Sequence, residues 1–499
     1  MYLRWNVRRE VLFLLLYTIV CNLALITAGA ATGYSSVVLP VLTSNTSSIT
    51  LTAMEAPLFA SIISINQIIG CVLSCITMNY GRRCTMIVCS VNLILGWILI
   101  ASSYNVAQLF VGRSLTGIAT GLCLSSIEIY LAEICISSWK ETIIVTPNTA
   151  NSIGVLIVYF VGFVFENNWR LIAAIFIAPS ILLVLCNIFF IHESPEWLLM
   201  RGRKEEAKIA LLHIRGLHQE TIEFQEEFAK MTNYVELINN FEISRNSQLD
   251  SSVTKDAKKR SFLNWNVLIY KLKSIKKTIL LPEVWKPFVI LNFYFFFQQF
   301  SGLMVILNYA IDIISMLKIT GDPFLITVIL GIVQVLGQVM TACCSIRIGR
   351  RIISIVSGVG VSISLGTLSV YLELFEDTGV TTVPLVCILL YMGFGSFGFL
   401  TIPWSMIAEL YSIKHVNVLG SITSFIASSF NCIVIQYYPM MVTQNRNGTF
   451  HFYCIVAIIG TFFLMVVLPE TRGKTKIQIE EIFKRDLQTE KTLRKIEDA

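Results

Sequence analysis

Polar side chains that interrupt long apolar runs are the residues of this chain with chemistry to offer. Gln298, Ser301 and Asn308 share one such run, and Trp404 lies in another. On a uniform helix the first three project within about 80° of arc. Amides and a hydroxyl on one stripe alternate donors and acceptors, which is what a hydroxyl-rich ligand requires. An indole face can stack on the apolar side of such a ligand. The competing reading is that these amides bind neighbouring helices to one another, at about 0.6 kcal/mol each in a bilayer.

A second set of residues is ionic and duplicated. Gly81-Arg82-Arg83 is followed 52 residues later by Glu133 and 60 after that by Glu193. Gly349-Arg350-Arg351 is followed 60 residues later by Glu409 and 61 after that by Glu470. Arginines and carboxylates recurring at matched intervals suit two ion-pair clusters that form in one state and break in another. A third candidate stands alone: Glu128, inside an apolar run and about 7–8 Å along a helix from Glu133. An intramembrane carboxylate is a functional candidate by default, here as a proton site. Its duller role would be pairing with Arg113 or with an arginine of the clusters.

Enzyme chemistry finds no foothold. The five histidines (His192, His213, His218, His415 and His451) have no metal-ligand spacing. There is no nucleophile elbow, phosphate-binding loop or nucleotide motif. No cofactor and no metal are expected.

Long helices must position these residues. Of 499 residues 55% are hydrophobic and 14% charged, against about 25% charged in soluble domains. Charge-free runs of some 20 residues or more recur along the chain. Each is long enough to span a bilayer as a helix with its backbone satisfied internally. One run, 84–112, holds two helices separated by the turn cluster Ser102-Ser103-Tyr104-Asn105. With Arg113 tolerated in the fourth, twelve spans are counted.

Basic residues set the orientation. With the N-terminus inside, all but Arg113, Arg170, Lys318 and Arg446 of the 38 Lys and Arg fall on the cytoplasmic side. The net charge of +6 is therefore a topogenic signal, not a nucleic-acid footprint. The sequons at Asn45 and Asn447 both fall in exofacial loops and are candidate glycosylation sites. The 13 cysteines lie in spans or near cytoplasmic ends, so no disulfide framework is implied.

The duplicated signposts divide the chain into a cytoplasmic tail (1–10), a six-helix bundle (11–191), a cytoplasmic central loop (192–286), a second six-helix bundle (287–468) and a cytoplasmic tail (469–499). The loop is helix-permissive from Arg201 and turns Ser-, Asp- and Lys-rich over Asn246 to Arg260, as a flexible linker does. Two parallel six-span repeats suit a carrier that rocks about a midplane site. The fold class expected is an all-α membrane protein of twelve helices in two pseudo-symmetric bundles.

Gly81-Arg82-Arg83, Gly112-Arg113, Tyr130-Leu131-Ala132-Glu133, Glu193-Ser194-Pro195-Glu196-Trp197-Leu198, Gln298-Gln299-Phe300-Ser301-Gly302, Pro403-Trp404 and Pro469-Glu470-Thr471-Arg472-Gly473-Lys474-Thr475 together resemble the sugar porter family of the major facilitator superfamily. The flavour is that of its insect facilitated trehalose transporter-like and glucose transporter-like branch, and the resemblance covers residues ~10–485. It implies sugar transport by alternating access, with a sugar and the lipid bilayer as partners, no nucleic acid, and a plasma-membrane protein functional as a monomer. It assigns Gln298 and Gln299 to sugar contact, and it matches Gln334 and Asn148 to family amides of different length.

The motifs depart from the family at several positions. Met78 and Ile346 replace acidic residues, Lys140-Glu141 and Val416-Asn417 replace Arg-Gly pairs, and Met304 replaces an asparagine, so a weaker inner latch is expected. Proton-driven members carry an Asp after a Gly-Tyr pair in the first span. Here Gly33-Tyr34 precedes Ser35, which favours facilitated diffusion of a hexose or trehalose. The alternatives are proton symport through Glu128 and a non-transporting membrane sugar sensor.

Overall fold

The computed structural model describes residues 2–44, 47, 49–136, 139–166, 168–233, 235–236, 282–375, 381–411, 416–472, 478 and 483. Asn45, His415 and the linker 246–260 lie outside these. The described residues contain no strand, and twelve helices among them are long and apolar enough to cross a membrane.

In order the spans are Arg9–Thr43, Glu55–Thr77, Arg82–Ala101, Val106–Ile134, Thr146–Val164, Trp169–Phe189, Val284–Met316, Pro323–Ser345, Arg350–Leu374, Thr382–Ile407, Val418–Gln444 and Arg446–Val467. The turn expected at 102–105 separates the third from the fourth. Asn105 caps the fourth there, its side chain accepting the Gln108 N–H at 2.8 Å. The first helix starts at Tyr2, so the N-terminal tail continues that helix.

Packing repeats with the sequence. In the first half the first span packs on the fifth, the second on the fourth, and the third on the fourth and sixth. In the second half the seventh packs on the eleventh, the eighth on the tenth, and the ninth on the tenth and twelfth. Adding six to each member of the first set gives the second. The halves meet where the second span lies on the eleventh, the fifth on the eighth, and the first on the seventh. A two-fold relation exchanges the first two of those contacts and maps the third onto itself. The expected pair of pseudo-symmetric bundles is thus realised in contacts.

Two spans are broken beside the interface. The seventh is split into Pro282–Phe300 and Leu303–Met316 at Gly302, which takes φ 86°, and a Cβ there would lie 2.6 Å from the Tyr453 ring. The tenth contains a π segment, Gly395–Phe399, before it resumes at Ile402–Leu410 with Pro403 in its first turn. Broken helices free backbone groups at mid-depth, where a carrier needs them.

Below the first bundle, helices Pro195–Met200 and Lys204–Arg215 and helical residues 222–233 close a small apolar core around Leu198, Leu211 and Phe224. Arg215 fastens it, reaching the Ile134 carbonyl at 2.9 Å and Glu227 at 2.6 Å.

Candidate functional site

The amides expected to bind ligand converge between the halves. Gln298 and Gln299 precede the break in the seventh span and are fully buried. Gln298 donates through Nε2 to the Leu400 carbonyl at 2.9 Å, where the tenth span leaves its π segment. Its Oε1 and that of Gln299 are buried without a hydrogen-bond partner. Gln334, also fully buried, donates across the interface to Ser152 Oγ at 2.9 Å and keeps an unpartnered Oε1. The Asn148 Nδ2 is likewise buried and unpartnered. A buried polar atom without a partner costs roughly 1–3 kcal/mol. These unpartnered donors and acceptors are ones that hydroxyls of a ligand would complement.

One expectation is corrected. The single uniform stripe of Gln298, Ser301 and Asn308 is interrupted, because the helix breaks at Gly302 between Ser301 and Asn308. Asn308 donates to the Met304 carbonyl one turn back, at 2.9 Å. Trp404 is buried and lies T-shaped to Phe295, centroids 4.7 Å apart.

Three further buried polar residues of the second half were not singled out by the sequence. Gln338 is 2% exposed, with an unpartnered Oε1. Asn431 donates to Ser64 Oγ across the interface at 3.1 Å, and the Tyr391 hydroxyl donates to the Ser301 carbonyl at 2.7 Å. Polar side chains at i and i+4 from Gln334, and on the span that pairs with the second, were the available signals.

The duplicated charges build two matching latches. Arg82 pairs with Glu133 at 2.5 Å, and Arg350 pairs with Glu409. Glu193 is not a partner of a guanidinium. It accepts the backbone N–H of Arg82 at 2.7 Å and that of Arg83, capping the third span. Glu470 caps the ninth in the same way through the Arg350 N–H at 3.2 Å. Burial pushes the Glu193 carboxyl above the ordinary carboxylate range, against the pull of three backbone N–H groups. Both helices begin at glycines, Gly81 and Gly349, whose φ values are 129° and 91° and which offer no side chain as cap. A Cβ on either would collide with the capping carboxylate. Arg83 and Arg351 turn away to the carbonyls of Ile188 and Met465. In the first half the expected ion cluster is therefore one ion pair, one carboxylate cap and one arginine bound to carbonyls, and in the second Arg350 pairs with Glu409 while Glu470 caps the Arg350 N–H.

Arg113 is fully buried in the fourth span and faces the first. It donates to the Ala31 carbonyl at 2.6 Å and to Ser35 Oγ, and its guanidinium lies 4.7 Å from the Phe59 ring centroid and 5.5 Å from that of Tyr34. Pairing of Glu128 with Arg113 is therefore ruled out, and Arg82 and Arg350 are engaged elsewhere. The Glu128 Oε1 is buried without a partner. Asn447 donates to the Leu372 carbonyl at 3.2 Å from the first turn of the twelfth span, and Thr449 is buried. The sequon expected to carry a glycan thus holds an amide already engaged inside a helix. Among the described residues no group of side chains could hold a metal ion.

The sugar (and other) transporter family model matches residues 22–483. A facilitated trehalose transporter of Apis mellifera ligustica is 26% identical over 476 residues, covering 94% of this chain and 88% of that protein. A homologue of another, from Drosophila sechellia, is 28% identical over 407 residues, 80% of this chain and 76% of that protein. A major facilitator superfamily proton:xylose symporter, solved with 6-bromo-6-deoxy-D-glucose, has a TM-score of 0.74 at 19% identity over 95% of this chain and all of its own. The inward-open xylose transporter of E. coli has a TM-score of 0.69 at 20% identity over 94% of this chain and 99% of that one. At such identities the structural likeness is one of fold.

Proposed function

The chain belongs to the sugar (and other) transporter family, and from that premise we propose that it is a uniporter carrying trehalose or a hexose down its gradient. It is a transporter and not an enzyme, and its twelve spans make it a multi-pass membrane protein. The environment of Arg113 is the observation that carries the uniport reading. A buried guanidinium is paired with a carboxylate or bound to neutral acceptors. Here the acceptors on the first span are the Ala31 carbonyl and the Ser35 hydroxyl, and neither exchanges a proton at physiological pH. The fourth-span cation is thereby held on neutral acceptors through both terminal nitrogens, its Nε left unpartnered, without the carboxylate on which a proton could act.

The substrate sits among the amides of Gln298, Gln299, Gln334 and Asn148, with Asn308 and Trp404 at its edge. The pairs Arg82–Glu133 and Arg350–Glu409 stiffen each half as it rocks, and the caps at Glu193 and Glu470 hold the helix starts. Both termini face the cytoplasm, the protein resides in the plasma membrane, and one copy suffices for transport.

The test is counterflow of labelled glucose and trehalose into liposomes holding the purified chain, with and without a pH gradient. Exchange of at least one sugar, indifferent to the gradient, is expected. Flux that requires inward protons would overturn uniport in favour of symport through Glu128. Sugar binding without flux would make the protein a sensor.

A further inference from the structure

The interface between the fifth and eighth spans holds a second polar level, and its residue Gln338 is not among those the family resemblance assigns. Its register is set by two contacts. Gly331 lies against Leu156, a Cβ at Gly331 falling 3.0 Å from that side chain, and Gln334 bonds Ser152 at 2.9 Å. The two helices run antiparallel, so each step of about one turn down the eighth span is a step of one turn back along the fifth. The next level therefore places Gln338 opposite Asn148. On the eighth span residues 331, 334 and 338 project within about 60° of arc, all toward the fifth.

At that level the chemistry is complementary and incomplete. Gln338, 98% withdrawn from solvent, leaves an acceptor, Oε1, without a partner. Asn148 leaves a buried donor, Nδ2, without one. Facing each other across the interface, they do not bond each other. A single hydroxyl closes such a gap, because it accepts from an N–H and donates to a carbonyl oxygen at once. We propose that Gln338 and Asn148 form a hydroxyl-binding rung that takes the sugar one helical turn on the cytoplasmic side of the Gln334 level, which makes Gln338 a substrate-binding residue. The inference rests on the sugar-carrier reading. It places substrate against the fifth and eighth spans at two successive levels about 6 Å apart.

The test uses the full chain expressed in oocytes. Zero-trans uptake and efflux of labelled trehalose and glucose are measured and normalised to surface abundance. Gln338→Leu keeps the volume and removes the acceptor. It is expected to raise the half-saturation concentration of a transported sugar about two- to ten-fold, the worth of one hydrogen bond, and more in efflux than in uptake. The exchanged pair Asn148→Gln with Gln338→Asn restores a donor opposite an acceptor and is expected to recover part of the loss seen in Gln338→Leu. If Gln338→Leu fails to reach the surface, Gln338→Met decides by the same criteria. An unchanged half-saturation in both directions overturns the proposal, and so does an exchanged pair as impaired as Gln338→Leu. A parent chain that carries neither sugar sinks the carrier reading, and the proposal with it. An active parent with an indifferent Gln338→Leu sinks the proposal alone.

Discussion

At the scale of single residues, function follows from which buried polar atoms are satisfied. Gln298 donates to Leu400 and leaves its acceptor without a partner in the protein. Gln298→Ala should therefore lower sugar flux about ten-fold at normal surface abundance, the cost of one or two hydrogen bonds. Undiminished uptake of labelled sugar would reduce Gln298 to a packing residue. Glu128 gives the opposite expectation. Glu128→Gln is isosteric and neutral, so a uniporter should keep its flux within about two-fold and stay indifferent to a pH gradient. A flux that loses proton dependence on this substitution would show that Glu128 is the coupling site. Glu128 and Gln298 were both visible as polar residues in apolar runs. Their partners were not, since hydrogen bonds between spans depend on rotation and depth that spacing leaves open.

Element by element, the design is two copies of one arrangement. Each half starts its third helix at a glycine that has no capping side chain, and a carboxylate from more than 100 residues downstream supplies the cap. A carboxylate at a helix N-terminus also meets the positive end of the helix dipole. Glu193→Ala and Glu470→Ala should each destabilise the purified protein by about 0.5–2 kcal/mol, read as a lowered melting temperature in detergent. A silent Glu470→Ala would mean that the second cap is ornamental and the repeat energetically unequal. The Gly-Arg-Arg and Glu signposts were legible because duplication preserved their spacing. Their division of labour was not. Charge alone suggests that four ionic residues pair with one another, whereas Glu193 and Glu470 reach backbone N–H groups and Arg83 and Arg351 reach carbonyls.

Across the whole molecule, the short helices that follow the sixth span are clasped to the first bundle by a histidine stack. The His192 ring lies parallel to that of His213 at 4.5 Å and bonds the Tyr17 hydroxyl at 2.7 Å, and the Tyr130 hydroxyl donates to the His192 carbonyl at 2.9 Å. Burial, the second imidazole and the charge of Arg83 hold the His192 pKa below the ordinary histidine value, while the Phe190 backbone pulls the other way. Because the folded state resists protonation there, its contribution to stability is present above about pH 6.5 and is lost as pH falls from that value through the lowered one. The melting temperature of the purified chain should therefore drop by about 1–3 °C between pH 7.5 and 5.5 on this account. His192→Gln should flatten the dependence. A slope unchanged by the substitution would assign it to other groups, Glu193 first among them.

What the sequence by itself determined is the part of the protein that solvent dictates. Runs without charge must lie in lipid, basic residues predict which side faces the cytoplasm, and a duplicated spacing implies two like bundles. Each follows from transfer free energies that depend on residue type alone, and so can be read along a line. The tertiary structure decided what depends on partners. It put Arg113 on Ser35 rather than on Glu128, broke the seventh span at Gly302 between Gln298 and Asn308, and bonded Gln334 to Ser152. Such contacts join residues as many as 182 positions apart through helix rotation and antiparallel register, and only packing fixes those.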